Sequence, residues 1–411
     1  MAVQGRTTTV MIPNHRKDER GQVLVIVAGA LLVIIALVGL VIDGGFAWGQ
    51  QRQTQNASDA ASEAGALQLA ENVAGTSPTN TDADVVAAVN ASGQANGIGN
   101  PVAFYTNISG QLITSAGAVT TDEAQAARVG SVVTIPPGAA GVAARGSKTF
   151  DTFLMRAIGF AQLTTTANAT AIAGYLTNTC AASAGCFILP VTVPVTIVSC
   201  DGSGNPVPEP GGPKYTTGQL YILPLCKNGP GNVGWIDWTP TAGGTSELVD
   251  AINSPSNPYM KWPGWFYITA TGNVNSKGVE DALRAYDGQP VSFPQFDGTC
   301  DETPTGPNLS NCPIGHEGGN GSNQWYHVAQ MATFVFCGPA GATNDADCQG
   351  HGPAIVHGAF VNGSDKPICD TGNGATSCIA GKFVVLSDSG EVSAAPPPNP
   401  GTSKVGVQLI H

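Results

Sequence analysis

The feature that most constrains this chain is an uninterrupted apolar run near the amino terminus, at positions 23–42. The run has no charged side chain, and as an α-helix its 20 residues span roughly 30 Å, the thickness of a bilayer's hydrocarbon core. It therefore predicts a transmembrane helix. Where the rest of the chain lies relative to a membrane follows from the residues that flank it.

Basic residues are distributed asymmetrically about this run. Those before it are Arg6, Arg16, Lys17 and Arg20, and the first to follow it is Arg52. Because Lys and Arg near a span favour the cytoplasmic side, we expect a single-pass cell-membrane protein with a cytoplasmic N-terminus and an extracytoplasmic C-terminal bulk. The alternative is a cleaved signal peptide, whose apolar core has roughly 7–15 residues before a small-x-small site. This run is longer, and Asp43 follows it directly, so we expect the anchor to be retained.

Composition beyond the apolar run indicates strands and turns. Charged residues make up only 11% of the chain, which also contains 53 Gly and 29 Pro. The net charge of −12 argues against nucleic acid as a partner, since a phosphate backbone would be repelled. The predicted fold class is α+β: a transmembrane helix continuing into a long helix, a small α+β domain, and a disulfide-rich, mainly β extracytoplasmic domain.

Changes in residue composition divide the sequence into five parts. They are a cytoplasmic segment (1–20), the transmembrane and juxtamembrane helix (21–75), a small α+β extracytoplasmic domain (76–175), a Cys-rich, β-rich extracytoplasmic domain (176–393), and a Pro-rich linker with a strand-like tail (394–411). Residues 50–74 lack Pro and repeat Ala, which predicts that the helix continues unbroken past the apolar run.

Shorter patterns predict local elements. Helices are predicted over 82–95, 149–159, 245–253 and 276–286, and strands over 102–106, 111–115, 128–135, 163–173, 187–198, 219–225 and 404–410. The helix at 149–159 rests on helically spaced apolar residues with Gly159 as a cap.

The cysteines all lie at position 180 or later. They are Cys180, Cys186, Cys200, Cys226, Cys300, Cys312, Cys337, Cys348, Cys369 and Cys378. An even number on the external side predicts disulfides, although the sequence leaves their connectivity open. Zinc is the alternative, because Cys312–His316 and Cys348–His351 are closely spaced. Neither has a matching close Cys pair, so no metal site is predicted.

An aromatic cluster occupies positions 235–267 and includes Trp235, Trp238, Trp262 and Trp265. Such rings can stack on a sugar or on a partner protein, but a domain poor in other large residues also needs them for its core. Both interpretations stay open. The histidines are expected on the surface or in turns. No phosphate-binding loop, dinucleotide motif or nucleophile elbow appears, so neither a catalytic residue nor a cofactor is predicted.

Several N-terminal motifs resemble those of TadE/TadG-like proteins of Flp (tight-adherence) pilus assembly. They are Arg20-Gly21-Gln22 before the apolar run, Ile42-Asp43-Gly44-Gly45 after it, then Gln51-Arg52-Gln53-Thr54-Gln55 and Ala57-Ser58-Asp59-Ala60-Ala61. The resemblance continues to about residue 175 and implies a non-catalytic accessory role in pilus assembly or surface adherence. Its implied partners are the membrane and other pilus-assembly or envelope proteins.

Two departures qualify this resemblance. Gln22 and apolar residues follow Gly21 where Flp-type pilins carry Glu, which argues against a polymerising pilin. Asp201-Gly202-Ser203-Gly204-Asn205 only partly matches the metal loop of von Willebrand A-like domains, and a hairpin turn fits it better. Two other functions remain as alternatives: an anchored module that binds carbohydrate or protein through the 235–267 aromatics, and a secreted hydrolase-like enzyme.

Overall fold

The structure is a computed structural model that describes residues 19–75, 79–179, 181–200, 206–225, 234–236, 238, 244–268, 277–286, 288–318, 324–336 and 377–410. Its α-helices are α1 (Glu19–Val73), α2 (Asp82–Ala95), α3 (Thr245–Asn253) and α4 (Lys277–Arg284). Single 3₁₀ turns lie at Met155–Ile158, Ala182–Ala184 and Leu309–Asn311. The helices predicted over 82–95, 245–253 and 276–286 are confirmed as α2, α3 and α4.

Helix α1 runs without interruption through 55 residues, which confirms the predicted continuation past the apolar run. Among the described residues it is the one helix long and apolar enough to cross a membrane. Its apolar side chains contact little else in the chain; Leu24 and Val41 are 72% and 74% exposed. The N-terminal part of α1 therefore has an apolar surface that the rest of the protein does not cover.

The C-terminal half of α1 is, in contrast, packed closely against the domain. Small side chains make this possible: Ala57, Ala61, Ala66 and Ala70 are all fully buried. At Gly65 an added Cβ would lie 2.7 Å from Val89 of α2. The Ala-rich pattern read from the sequence is thus the face on which α1 meets α2 and the sheet.

The strands follow in chain order. They are β1 (Val102–Thr106), β2 (Gly141–Asp151), β3 (Gln162–Leu176), β4 (Asn178–Thr179), β5 (Val191–Pro194), β6 (Val198–Cys200), β7 (Pro206–Pro208), β8 (Leu220–Leu225), β9 (Gly234–Trp235), β10 (Met260–Lys261), β11 (Gly264–Ile268), β12 (Pro290–Cys300), β13 (Gln324–Phe336), β14 (Ser377–Val384), β15 (Ser387–Ser389), β16 (Val392–Ser393) and β17 (Val405–Ile410). Together with α1 they give the predicted α+β class.

The first sheet has the order β1-β2-β3-β17-β15, and β16 also pairs with β3. Its main feature is the antiparallel hairpin of β2 and β3, which pairs Gly141 with Ile172 at the base and Asp151 with Gln162 near the tip. Helices α1 and α2 cover one face, where Tyr105 is fully buried and donates a 2.7 Å hydrogen bond to Asp82. The strands predicted over 102–106 and 163–173 are β1 and β3.

The second sheet has the order β8-β14-β13-β12-β5-β9, with β11 also paired to β13. Helices α3 and α4 bury Leu248, Ile252 and Leu283 against Phe293 and Phe334 of this sheet. A separate buried cluster joins Leu176, at the end of β3, to Trp262 and Phe296. The end of the first sheet is therefore packed into the core of the second.

The C-terminal segment connects both sheets. Residues 399–404 lie against β12 and β13, where Ser403 bridges to Ala332 and the Lys404 N–H donates to the Met331 carbonyl. The chain then enters β17, which pairs with β3 over Val405–Ile410. The strand expected at the end of the sequence is thus β17 of the first sheet. Strands β15 and β16 also belong to this sheet, although they lie in the part of the sequence that was assigned to the Cys-rich domain.

Three local expectations were wrong. Residues 149–159 form the end of β2 and a 3₁₀ turn instead of a helix, because Phe150 and Phe153 both pack on Phe46 of α1. Residues 111–115 and 128–135 make only isolated bridges. In the second segment Gly130 has a φ of 83°, which interrupts an extended backbone.

Candidate functional site at the end of the apolar segment

The β2–β3 hairpin lies along α1 with its tip directed toward the apolar segment. Thr165 in the first third of β3 contacts Thr54, with 2.9 Å between the two hydroxyl oxygens. Nearer the tip, the Phe150 ring lies 5.2 Å from the ring of Phe46. Hairpin residues closer to the tip thus contact residues nearer the start of α1. The tip itself therefore lies beside the end of the apolar run.

Asp43, the first residue after the apolar run, holds the hairpin tip. Its carboxylate accepts hydrogen bonds from the backbone N–H groups of Phe153 (2.8 Å), Leu154 (2.9 Å) and Met155 (2.6 Å). The side chain is 1% exposed. Burial by itself raises the pKa of Asp43, but these backbone donors favour the carboxylate and lower the net pKa below its usual value.

The tip extends beyond Asp43 onto the apolar segment itself. An added Cβ at Gly39 would lie 3.0 Å from the Leu154 Cβ. Because α1 rises about 1.5 Å per residue, Leu154 lies roughly 6 Å farther into the apolar segment than Asp43. A glycine at position 39 therefore permits the close approach of the tip.

Exposed aromatic side chains surround this junction. Phe153 and Phe160 are 65% and 55% exposed at the tip, and Trp48 is 67% exposed on α1. The Arg52 guanidinium lies 5.6 Å from the centre of the Trp48 ring, within the range of a cation–π interaction. The junction thus combines a hydrogen-bonded carboxylate with uncovered rings next to an apolar helix.

The sequence reasoning missed this site. Its candidate residues lie far along the chain, and Asp43 entered only as the residue that ends the apolar run and as part of a family-like motif. The sequence feature that could have indicated this site is the position of Asp43, a single acidic residue directly after 20 apolar residues. That position indicates a boundary, but not the backbone groups that Asp43 binds.

The structure describes only some of the candidate cysteines. Cys300 and Cys312 form a disulfide with Sγ atoms 2.00 Å apart, and Cys186 is also disulfide-bonded. Cys200 and Cys378 lie in β6 and β14. Cys180, Cys226, Cys337, Cys348 and Cys369 lie outside the described residues.

The candidate binding tryptophans that the structure describes differ in their surroundings. Trp262 is 3% exposed, and its indole N–H donates to the Leu176 carbonyl at 2.7 Å, so it belongs to the core. Trp238 is half-buried against the same cluster. Trp265 is also half-buried and donates to the Asn308 carbonyl at 3.0 Å. Trp235 lies in β9, which pairs with β5.

One histidine differs from the expectation of surface or turn positions. His327 on β13 is 3% exposed, and its ring nitrogens lie 2.5 Å from an Asp297 carboxylate oxygen and 2.9 Å from the Pro307 carbonyl oxygen. Sequence reasoning missed it because an isolated His on a strand carries no signal of burial. His316 is exposed, and its hydrogen bond to Asp301 raises its pKa.

No metal cluster was predicted, and the part of the chain that the structure describes contains no group of three or more His, Cys, Asp or Glu that could hold an ion. Residues 201–205, with the partial metal-loop match, lie outside the described residues. The strands on either side of them, β6 and β7, pair antiparallel as the arms of a hairpin do.

Comparison with known families agrees with the N-terminal motifs. Residues 21–68 match a family model described as putative Flp pilus-assembly TadE/G-like. The match covers the apolar segment, Asp43 and most of the buried face of α1, and it confirms the resemblance over this part of the chain. No curated protein and no solved structure matches the chain significantly.

Proposed function

We propose that this chain is a non-catalytic accessory protein of Flp/Tad-type pilus assembly or surface adherence, anchored in the cell membrane by α1. The observation that carries the proposal is the family match over residues 21–68. The N-terminal segment lies in the cytoplasm and the remainder of the chain is extracytoplasmic. Its partners are other pilus-assembly or envelope proteins.

The geometry of α1 supports the anchor. Residues 23–42 span roughly 30 Å as a helix, and their side chains are mostly uncovered by the rest of the chain. In water so large an apolar surface is unfavourable, whereas acyl chains would cover it. The excess of Lys and Arg before this segment supports a cytoplasmic N-terminus.

The continuity of α1 supports a positioning role. One helix contains both the apolar segment and the buried face that packs on α2, β2 and β3. No linker separates them, and Asp43 fixes the hairpin tip to the same helix. The anchor therefore holds the first sheet at a defined height and orientation, as a scaffold for envelope partners requires.

The environment of His327 supports the non-catalytic part of the proposal. Both ring nitrogens face protein acceptors, the Asp297 carboxylate and the Pro307 carbonyl. His327 is 3% exposed, so its ring offers little surface to a substrate. The pair serves instead to hold the segment that contains Pro307 against β13.

Gene deletion with two forms of complementation tests the proposal. Flp-type pili, counted by electron microscopy, should be lost on deletion and restored by the full chain. They should not be restored by a chain whose residues 1–42 are replaced with a cleavable signal peptide. Normal piliation in the deletion strain would refute the pilus role, and rescue by the secreted form would refute the need for an anchor.

Fusions to the C-terminus test the orientation independently. Alkaline phosphatase should be active at this position and a cytoplasmic fluorescent protein should not, because only the former folds outside the cytoplasm. The opposite pattern would refute the proposed topology and leave the pilus role to be judged from the deletion strain.

A further inference from the structure

We infer that the tip of the β2–β3 hairpin is a second membrane contact, which inserts Phe153 and Phe160 into the interfacial layer of the bilayer on the side where the apolar segment of α1 ends. The occupant is a phospholipid surface. The inference rests on the proposed membrane anchor, and it adds that the domain touches the bilayer at a point other than α1.

The depth of the tip is the first argument. Leu154 packs at Gly39, three residues before the last residue of the apolar run. A bilayer that covers residues 23–42 therefore has its boundary near Asp43, roughly 6 Å beyond the level of Leu154. The tip cannot stay in water if α1 is embedded along its whole apolar length.

The exposed side chains are those that favour this layer. Phe153, Phe160 and Trp48 are more than half exposed, although apolar rings of this size are normally buried in water-soluble proteins. Aromatic residues concentrate at both membrane–water interfaces. Arg52 on α1, which lies over the Trp48 ring, provides positive charge for lipid phosphates. Arg156 on the tip lies 3.6 Å from Asp151, and its side chain is 60% exposed, so it can also reach a phosphate.

The backbone of the tip is also prepared for a water-poor environment, where unpaired N–H groups are costly. The Asp43 carboxylate accepts from Phe153, Leu154 and Met155. The Phe160 N–H donates to Met155, and the Thr152 N–H to Ala161. Three consecutive N–H groups of the tip are therefore paired within the protein and need no water.

Photo-crosslinking of the full chain tests the inference. The photoreactive residue p-benzoyl-phenylalanine replaces Phe153 or Phe160, which keeps an aromatic ring at an exposed position. The variants are reconstituted in vesicles of phosphatidylethanolamine and phosphatidylglycerol with tritiated acyl chains. Leu32, which is 68% exposed in the apolar segment, is the positive control. Val133, which is fully exposed before β2 at the base of the hairpin, is the negative control.

We expect each tip variant to incorporate about tenfold more lipid label than the Val133 variant, since aromatic interface residues contact the acyl boundary. Label at Leu32 without label at the tip would overturn this inference and leave the anchor intact. A crosslinked pair of chains in place of lipid would overturn it as well, because the tip would then contact a second copy. Absence of label at Leu32 would overturn both the anchor and the inference.

Discussion

Replacing Gln330 with Met tests how the C-terminal segment is held on the second sheet. Gln330 is fully buried on β13. Its amide N–H groups donate to the Gln295 side chain at 2.7 Å and to the Asn399 carbonyl at 2.8 Å, and its amide oxygen accepts from the Asn399 N–H at 2.7 Å. Methionine has a similar length and volume but can form none of these bonds.

The expected cost follows from the groups that lose their partners. The Gln295 side chain keeps its hydrogen bond from Thr402 at 2.9 Å. The Asn399 carbonyl still accepts from the Thr402 N–H, but the Asn399 N–H loses its acceptor while Asn399 remains 2% exposed. At about 1–3 kcal/mol for a buried unpaired group, detachment of this segment becomes easier by about 1–3 kcal/mol. A central value of about 2 kcal/mol corresponds to roughly a 30-fold rise in the detached population.

Amide hydrogen exchange of the full chain in detergent micelles measures this population. The amides of Thr402 and Lys404, which donate to Asn399 and Met331, should exchange faster by about one to two decades. Gln162→Met is the matched control, because Gln162 is exposed and makes one side-chain bond to Asp151. Unchanged exchange at residues 399–404 in the Gln330 variant would refute the reasoning.

Three other perturbations test the anchor helix, the disulfide and the hairpin clamp. Gly65→Ala should lower the free energy of unfolding by about 1–3 kcal/mol relative to Gly49→Ala. Both substitutions raise helix propensity, but only the added Cβ at position 65 meets α2 and β2. Equal urea midpoints of the two variants would contradict this packing. Replacing both Cys300 and Cys312 with Ala should cost about 3 kcal/mol, as expected for a bridge that spans 12 residues, and an unchanged thermal midpoint would argue against it. The pKa of the Asp43 carboxyl is lower in the folded chain than its usual value of 3.8. The stability that this carboxylate contributes is therefore fully present above pH 3.8 and is lost as the pH falls through the pKa of the folded chain. Amide protection at the hairpin tip should therefore be equal at about pH 7 and about pH 5. Asp43→Asn should reduce this protection at both pH values. A loss of protection between these pH values in the unmodified chain would show that the pKa is not lowered.

Local pattern was sufficient wherever one segment decides its own structure. The apolar run and the Pro-free continuation predict α1 because hydrophobicity and helix propensity act over consecutive residues. The same holds for α2, whose Asp82 and Asp84 lie in its first turn and whose end precedes Gly97. The alternation of small and polar residues over 163–173 likewise predicts a strand, and these residues lie in β3.

Local pattern failed where a distant contact decides the structure. The spacing of Phe150, Phe153 and Leu154 suits one face of a helix, yet it arises because a hairpin tip turns these residues toward α1. His327 was expected at the surface, yet its partners on β12 and in the following segment bury it. Periodicity alone cannot distinguish these cases.

Neighbouring residues alone specify the apolar helix, its unbroken extension and the family resemblance of residues 21–68. The contact of Asp43 with a hairpin 110 residues later, and the pairing of β17 with β3, arise only in the folded chain. Such pairings depend on which distant surfaces bury each other most completely, and this free energy belongs to the assembled fold and to no single stretch of chain.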